Sequence, residues 1–141
     1  MPTGTTNQKI PGCGSHHIAV QALDWDASLR LYRDVLGMRV VEQWGVSPRM
    51  VALLDMGDGS HIELVGPTAG ADYTQTGTTP PNLLHVALAT TDTRAATETV
   101  RQAGYEVTLE PKELQLTPTL RVTISFFKGP AGELIEFFQT H

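Results

Sequence analysis

This 141-residue sequence predicts an α+β fold made of two tandem βαβββ modules, on the strength of two observations. The chain repeats itself, and each copy parses into the same run of strand, helix and three further strands. His17-Ile18-Ala19-Val20 returns as His85-Val86-Ala87-Leu88, Gly37 as Gly104, and Glu63 as Glu136. Partners lie 68 residues apart at His17/His85 and Asp24/Asp92, 67 apart at Gly37/Gly104, and 73 apart at Glu63/Glu136. A shared period of this kind fixes architecture before any single element does. The drift to 73 places an insertion between Val107 and Phe126, read as a loop over Pro111 to Thr119.

Each element has a local reason. Ile18 to Val20 and Val86 to Leu88 are short apolar runs, read as opening strands. Asp24 and Asp92 suit helix N-caps, where a carboxylate satisfies free backbone N–H groups. Leu29, Tyr32, Val35 and Leu36 fall on one face of the first helix. Gly37 and Gly104 stand where each helix should stop, because glycine tolerates the left-handed conformation there. Arg39 to Glu42 and Glu106 to Leu109 read as second strands, Met50 to Leu54 and Val122 to Phe127 as third strands. Asp58-Gly59 and Ala131-Gly132 are turns into the fourth. The expected organisation is an arm over 1–14, a first module over 15–66, a Gly/Pro/Thr-rich linker over 67–82 and a second module over 83–141.

Composition excludes several roles. With 15 acidic against 10 basic residues, the net charge of -5 supports neither nucleic-acid binding nor docking on an anionic membrane. No apolar run approaches membrane-spanning length, and the N-terminal stretch lacks the apolar core of a signal peptide. Cys13 is the one cysteine, which allows no intramolecular disulfide. A cytoplasmic protein is the expectation.

Four residues stand out as ligands. His17 and His85 open the first strand of each module, and Glu63 and Glu136 lie inside the last. Alternation puts Glu63 on the face of His61 and Val65, and Glu136 on that of Leu134 and Phe138. An ionised carboxylate among such neighbours needs a cation, a basic partner or a metal. The same choice at the same repeat position twice argues for a two-His, two-Glu site holding one divalent metal. Nitrogen and oxygen donors suit Ni, Co, Zn, Mn or Fe, with room for two waters in an octahedron.

The stretch HHIAVQALDWDASLRLYRDVLGMRV, with LLHVAL, GDGSHIELV and GPAGELIEFF, resembles the vicinal oxygen chelate superfamily, also called the glyoxalase/bleomycin-resistance/dioxygenase fold. The resemblance spans about residues 15 to 139 and implies a cupped, mostly antiparallel sheet. By position, His17, Glu63, His85 and Glu136 fall on the four ligand positions of glyoxalase I (lactoylglutathione lyase), and His16 should then point to the other face. Four ligands, rather than two His and one Glu, point toward lyase or isomerase chemistry. The implied reaction converts an α-keto-hemithioacetal or similar vicinal-oxygen substrate through a metal-bound enediolate, with Glu136 as the base and Glu63 able to share that role. Gln21 and Pro67 stand where the family carries glutathione-contacting Arg and Asn, so another thiol or another substrate with two neighbouring oxygens stays open.

Alternatives from the same superfamily are an epimerase, an extradiol dioxygenase, or a non-catalytic protein that binds a drug or metabolite. Relatives imply a homodimer, with each site either within one chain or shared between two. Among other residues, His61 reads as a structural histidine before a ligand, Trp25 and Trp44 as packing residues, Phe126, Phe127, Phe137 and Phe138 mostly as core, and His141 as an unanchored terminus.

Overall fold

The computed structural model describes residues 15–71 and 85–141, together with Thr5, Thr6, Gln8, Lys9 and Gly12. Most of the expected arm, Cys13 included, and the expected linker from residue 72 on lie outside these residues. The chain divides into two units, Met1–Ala71 and Asp72–His141.

The first unit runs β1 (His17–Gln21), α1 (Trp25–Leu29) with a π-helical continuation (Arg30–Val35), β2 (Arg39–Val46), β3 (Arg49–Asp55) and β4 (His61–Val65). The second runs β5 (Val86–Ala89), α2 (Thr93–Gln102), β6 (Val107–Thr117), β7 (Leu120–Lys128) and β8 (Leu134–Thr140). Each unit is therefore βαβββ, and each folds into one mixed four-stranded sheet, ordered β1-β4-β3-β2 and β5-β8-β7-β6. The opening strand pairs parallel with the last strand of its unit, and the other two pairings are antiparallel. A parallel partner demands a crossover, which the helix and the β2–β3 or β6–β7 hairpin supply.

Local chemistry sets the helix ends. Asp24 accepts the Ala27 N–H at 3.0 Å and Asp92 the Ala95 N–H at 2.9 Å, as the N-cap reading requires. Past α2, Tyr105 N–H bonds Val100 O at 3.1 Å and Gly104 N–H bonds Arg101 O at 2.9 Å, with Gly104 at φ 95. In the first unit, Leu36 N–H reaches Leu31 O at 2.9 Å and Met38 N–H reaches Tyr32 O at 3.0 Å, one residue further back in each case than an α-helical end needs. The step from 68 to 67 in the repeat is thus a π turn. Ser28, Leu31 and Tyr32, at positions i, i+3 and i+4, are buried together on one face of this helix.

One sheet face of each unit is core. In the first, Val20, Ala52, Leu54, Ile62 and Leu64 fall on a common face by register and are buried. In the second, α2 packs on β6, β7 and β8, over Phe127, Ile135 and Phe137. Buried hydroxyls join the layers there. Thr93 donates to Thr123 O at 3.1 Å, Thr97 donates to Thr93 O at 2.6 Å, and Thr97 Oγ1 lies 2.7 Å from Ser125 Oγ. Ser28, fully buried in the first unit, finds no partner for its Oγ among the described residues.

Two expectations need correction. Pro111 to Thr119 is not an inserted loop: residues to Thr117 continue β6, and the chain turns directly into β7. The insertion lengthened a hairpin, to strands of 11 and 9 residues where the first unit has 8 and 7. Added residues in a strand gain ladder hydrogen bonds that a loop forgoes. His141 is anchored as well, its N–H on Arg121 O at 3.0 Å and its Nε2 2.8 Å from Thr123 Oγ1. Among the described residues, no helix is long and apolar enough to cross a membrane.

Three outcomes follow from this packing. A Cβ at Gly66 would press on the Pro48 carbonyl oxygen and lie 2.9 Å from Met50 N, so Gly66→Ala should lower unfolding free energy by about 1–3 kcal/mol in urea titration. Ser28→Ala removes a buried unsatisfied hydroxyl and should stabilise by about 1 kcal/mol in the same assay. The Asp55 carboxylate accepts the Gly57 N–H at 2.8 Å and the Gly59 N–H at 3.2 Å, and the Gly57 bond above all holds its pKa below the usual carboxylate range. That stabilisation is full above the ordinary carboxylate pKa of about 4 and is lost as pH falls through the lowered value. Asp55→Asn should therefore lower the melting temperature at pH 7, with the deficit closing as thermal scans move below about pH 4.

Candidate functional site

The parallel register of β1 on β4 sets His17 opposite His61, Ala19 opposite Glu63 and Gln21 opposite Val65. Directly opposed residues share a face, so His17, His61 and Glu63 project together, away from Ile62 and Leu64. Ala19 and Leu53 flank Glu63 on the neighbouring strands. The small Ala19 leaves the carboxylate open on the side from which His17 approaches. His17 Nε2 lies 3.6 Å from Glu63 Oε2, with 38% and 24% of the two side chains exposed.

The second unit repeats this arrangement. Ala87 and Phe126 flank Glu136, and His85 stands just before β5. His85 Nε2 lies 3.0 Å from Glu136 Oε2, with the carboxylate now 8% exposed. Phe126 meets the His85 ring edge-on at 5.2 Å, which fixes its plane. Glu136 thus sits in the drier and tighter of the two pairs. The four expected ligands come together as two pairs, His17 with Glu63 and His85 with Glu136, one in each unit. Among the described residues, no group of three or more His, Cys, Asp or Glu within reach is arranged to hold a metal ion.

The donor chemistry of each pair fits a divalent ion. An imidazole nitrogen and a carboxylate oxygen bound at about 2.1 Å and at right angles lie about 3 Å apart. The second pair has that spacing and the first is somewhat wider. Each pair alone is an incomplete coordination set.

The surroundings correct two readings. His16 does not turn to the opposite face: its Nδ1 lies 2.8 Å from His17 Nδ1, and its ring packs 5.4 Å from that of His61. His61 is buried, and its Nδ1 lies 3.1 Å from His16 O, as a structural histidine would place it. Trp44 is 47% exposed, so it is not a core residue of its unit. Phe126, read as core, and His16, read as facing away, both touch ligand candidates. Strand pairing could have found Phe126, because the third strand of a repeat must lie beside its Glu. No pattern in the sequence marks His16, whose ring orientation is decided in three dimensions.

Gln21 shares the face of Glu63, two residues further along its strand. Its amide nitrogen donates to Ala22 O at 2.9 Å and Val65 O at 3.0 Å. Both amide hydrogens are committed to backbone carbonyls, so no cationic or free donor group is offered at this position.

Residues 14–137 match the model of the Glyoxalase/Bleomycin resistance protein/Dioxygenase superfamily. The lactoylglutathione lyase of Haemophilus influenzae is 33% identical over 129 residues, covering 87% of this chain and 90% of that protein. Among solved structures, a glyoxalase I mutant from Zea mays superposes with TM-score 0.71 at 22% identity over 88% of this chain, which spans 43% of the maize chain. TnmS3, an antibiotic binding protein from Streptomyces sp. CB03234, does so with TM-score 0.65 at 20% identity, covering 92% of this chain and 97% of that one. These structures share the fold, yet one is a glyoxalase I and the other an antibiotic binding protein by name, so the fold alone does not choose an activity. On the match along nearly its whole length, the chain belongs to the Glyoxalase/Bleomycin resistance protein/Dioxygenase superfamily.

Proposed function

We propose that the His17–Glu63 and His85–Glu136 pairs together hold one divalent metal ion, and that the chain is a lyase or isomerase of the glyoxalase I type. One observation carries this reading: the same His Nε2–Glu carboxylate pair recurs at the same repeat position in both units. The Haemophilus relative, a lactoylglutathione lyase by name, supports the reaction class. The substrate is an α-keto-hemithioacetal or another small molecule with two neighbouring oxygens. Gln21, with its donors spent on the backbone, supports a thiol other than glutathione.

When bound, the ion supplies Lewis-acid polarisation of the two substrate oxygens and so lowers the pKa of the adjacent C–H. Glu136 takes that proton and returns it to the neighbouring carbon. Its carboxylate is 8% exposed, so little bulk water competes for that proton. Phe126 holds the plane of His85 and keeps water from that side. Glu63, in the wetter pair, serves first as a ligand. The pairs meet either within one chain or between two chains of a homodimer, and sedimentation of metal-loaded protein separates these cases. A reducing cytoplasm suits a chain with one cysteine.

The test is metal analysis of the purified protein, followed by assay with methylglyoxal and a panel of thiols. Turnover with at least one thiol is expected. Full metal occupancy without turnover on any thiol removes the lyase assignment and leaves the site. Glu136→Gln should retain metal and lose about 10²–10⁴-fold in kcat; turnover equal to wild type would show that another group is the base.

A further inference from the structure

Three histidines meet at the start of the first unit, and only His17 has a role so far. His16 and His17 approach through their Nδ1 atoms at 2.8 Å, with ring centroids 5.0 Å apart and planes crossed at 83°. Two imidazole nitrogens at that distance share one hydrogen, which one ring donates and the other accepts. His61 holds His16 from behind. Its Nδ1–H donates to the His16 carbonyl at 3.1 Å, and its ring lies tilted against the His16 ring. His61 is buried, so this support is fixed.

The consequence for His17 is a choice of tautomer. Its Nε2 is the atom that faces Glu63, at 3.6 Å, beyond ordinary hydrogen-bond reach. A ligating nitrogen must offer its lone pair, so the ring hydrogen must then sit on Nδ1 and find an acceptor. The acceptor that the structure provides is His16 Nδ1. We infer that His16 is a positioning residue for the metal centre: it accepts the His17 Nδ1–H, fixing His17 as the tautomer with a free Nε2 aimed at Glu63. This rests on the metal reading of the two His–Glu pairs. The second copy has no counterpart of His16 in sequence, since the residue preceding His85 is Leu84, whose side chain has no hydrogen-bonding atom.

The partner is unusual in kind. Metal-bound imidazoles generally donate to a carboxylate, a carbonyl or water. Here the acceptor is a second imidazole from the adjacent residue, which is held by a third. His16 touches neither ion nor substrate in this role and is exposed, so replacing it leaves the fold intact.

The experiment titrates Zn²⁺ into metal-free wild type, His16→Leu and His16→Asn by calorimetry with a competing chelator. The His17 tautomer is read in parallel from long-range ¹⁵N–¹H couplings in the zinc-loaded proteins. His16→Leu should weaken zinc binding about 10–100-fold. His16→Asn, whose Oδ1 can accept the same hydrogen, should recover most of the loss. The couplings should place the hydrogen on His17 Nδ1 in wild type and show that nitrogen exchanging freely in His16→Leu. Zinc affinity unchanged in His16→Leu overturns the assignment of His16 while leaving the metal centre standing. Failure of wild type to bind zinc or any of Ni, Co, Mn and Fe overturns the metal reading, and this inference with it.

Discussion

In each unit, the first strand lies parallel against the last, and every feature of the candidate site depends on that pairing. Parallel neighbours in register place residues of like position on a common face. His17 and Glu63, 46 positions apart in sequence, become diagonal neighbours across one ladder, as do His85 and Glu136. The alanines opposite the glutamates leave the gap through which imidazole and carboxylate meet. Slipping either ladder by one residue would turn the glutamate into the apolar core. The core residues Ile62, Leu64, Ile135 and Phe137 hold that register, because they pack on the other face of the same strands. The hydrophobic effect thus sets the position of the polar site without touching it.

Much of this was legible in the sequence, because repetition makes weak signals agree. A lone His or Glu says little, but His17/His85 and Glu63/Glu136 recur with the strands and caps around them. Asp24, Asp92, Gly37 and Gly104 each fell where capping chemistry placed them. What escaped were the features set by tertiary geometry. The repeat step from 68 to 67 marks one extra residue in the first copy, but not that a π turn absorbs it. The drift of the repeat to 73 points to a loop over Pro111 to Thr119, yet the strand β7 beside it was enough to draw most of the segment into a ladder. The ring of His16 turned toward His17 and His61 through contacts that alternation along a strand does not encode.

The two His–Glu pairs are alike in topology and unlike in setting. Glu136 is drier, closer to its histidine, and walled by Phe126; Glu63 is wetter, with Leu53 in the corresponding place and histidines behind its partner. A duplicated scaffold supplies two equivalent carboxylates, and these surroundings make them unequal. Acid–base chemistry benefits from such inequality, because groups with different environments can take different parts in one reaction.

The π turn over Arg30 to Val35 shows where this architecture absorbs change. One residue more or less between the opening strand and the second is taken up as a wider helical loop. Gly37 still ends the helix and β2 still begins two residues later. The lengthened β6–β7 hairpin takes up its extra residues in the same way, at the end away from the β5–β8 ladder. Length variation is thereby confined to parts of the chain that do not set the spacing of histidine and glutamate. The two copies of the repeat thus differ in length while each keeps its histidine beside its glutamate.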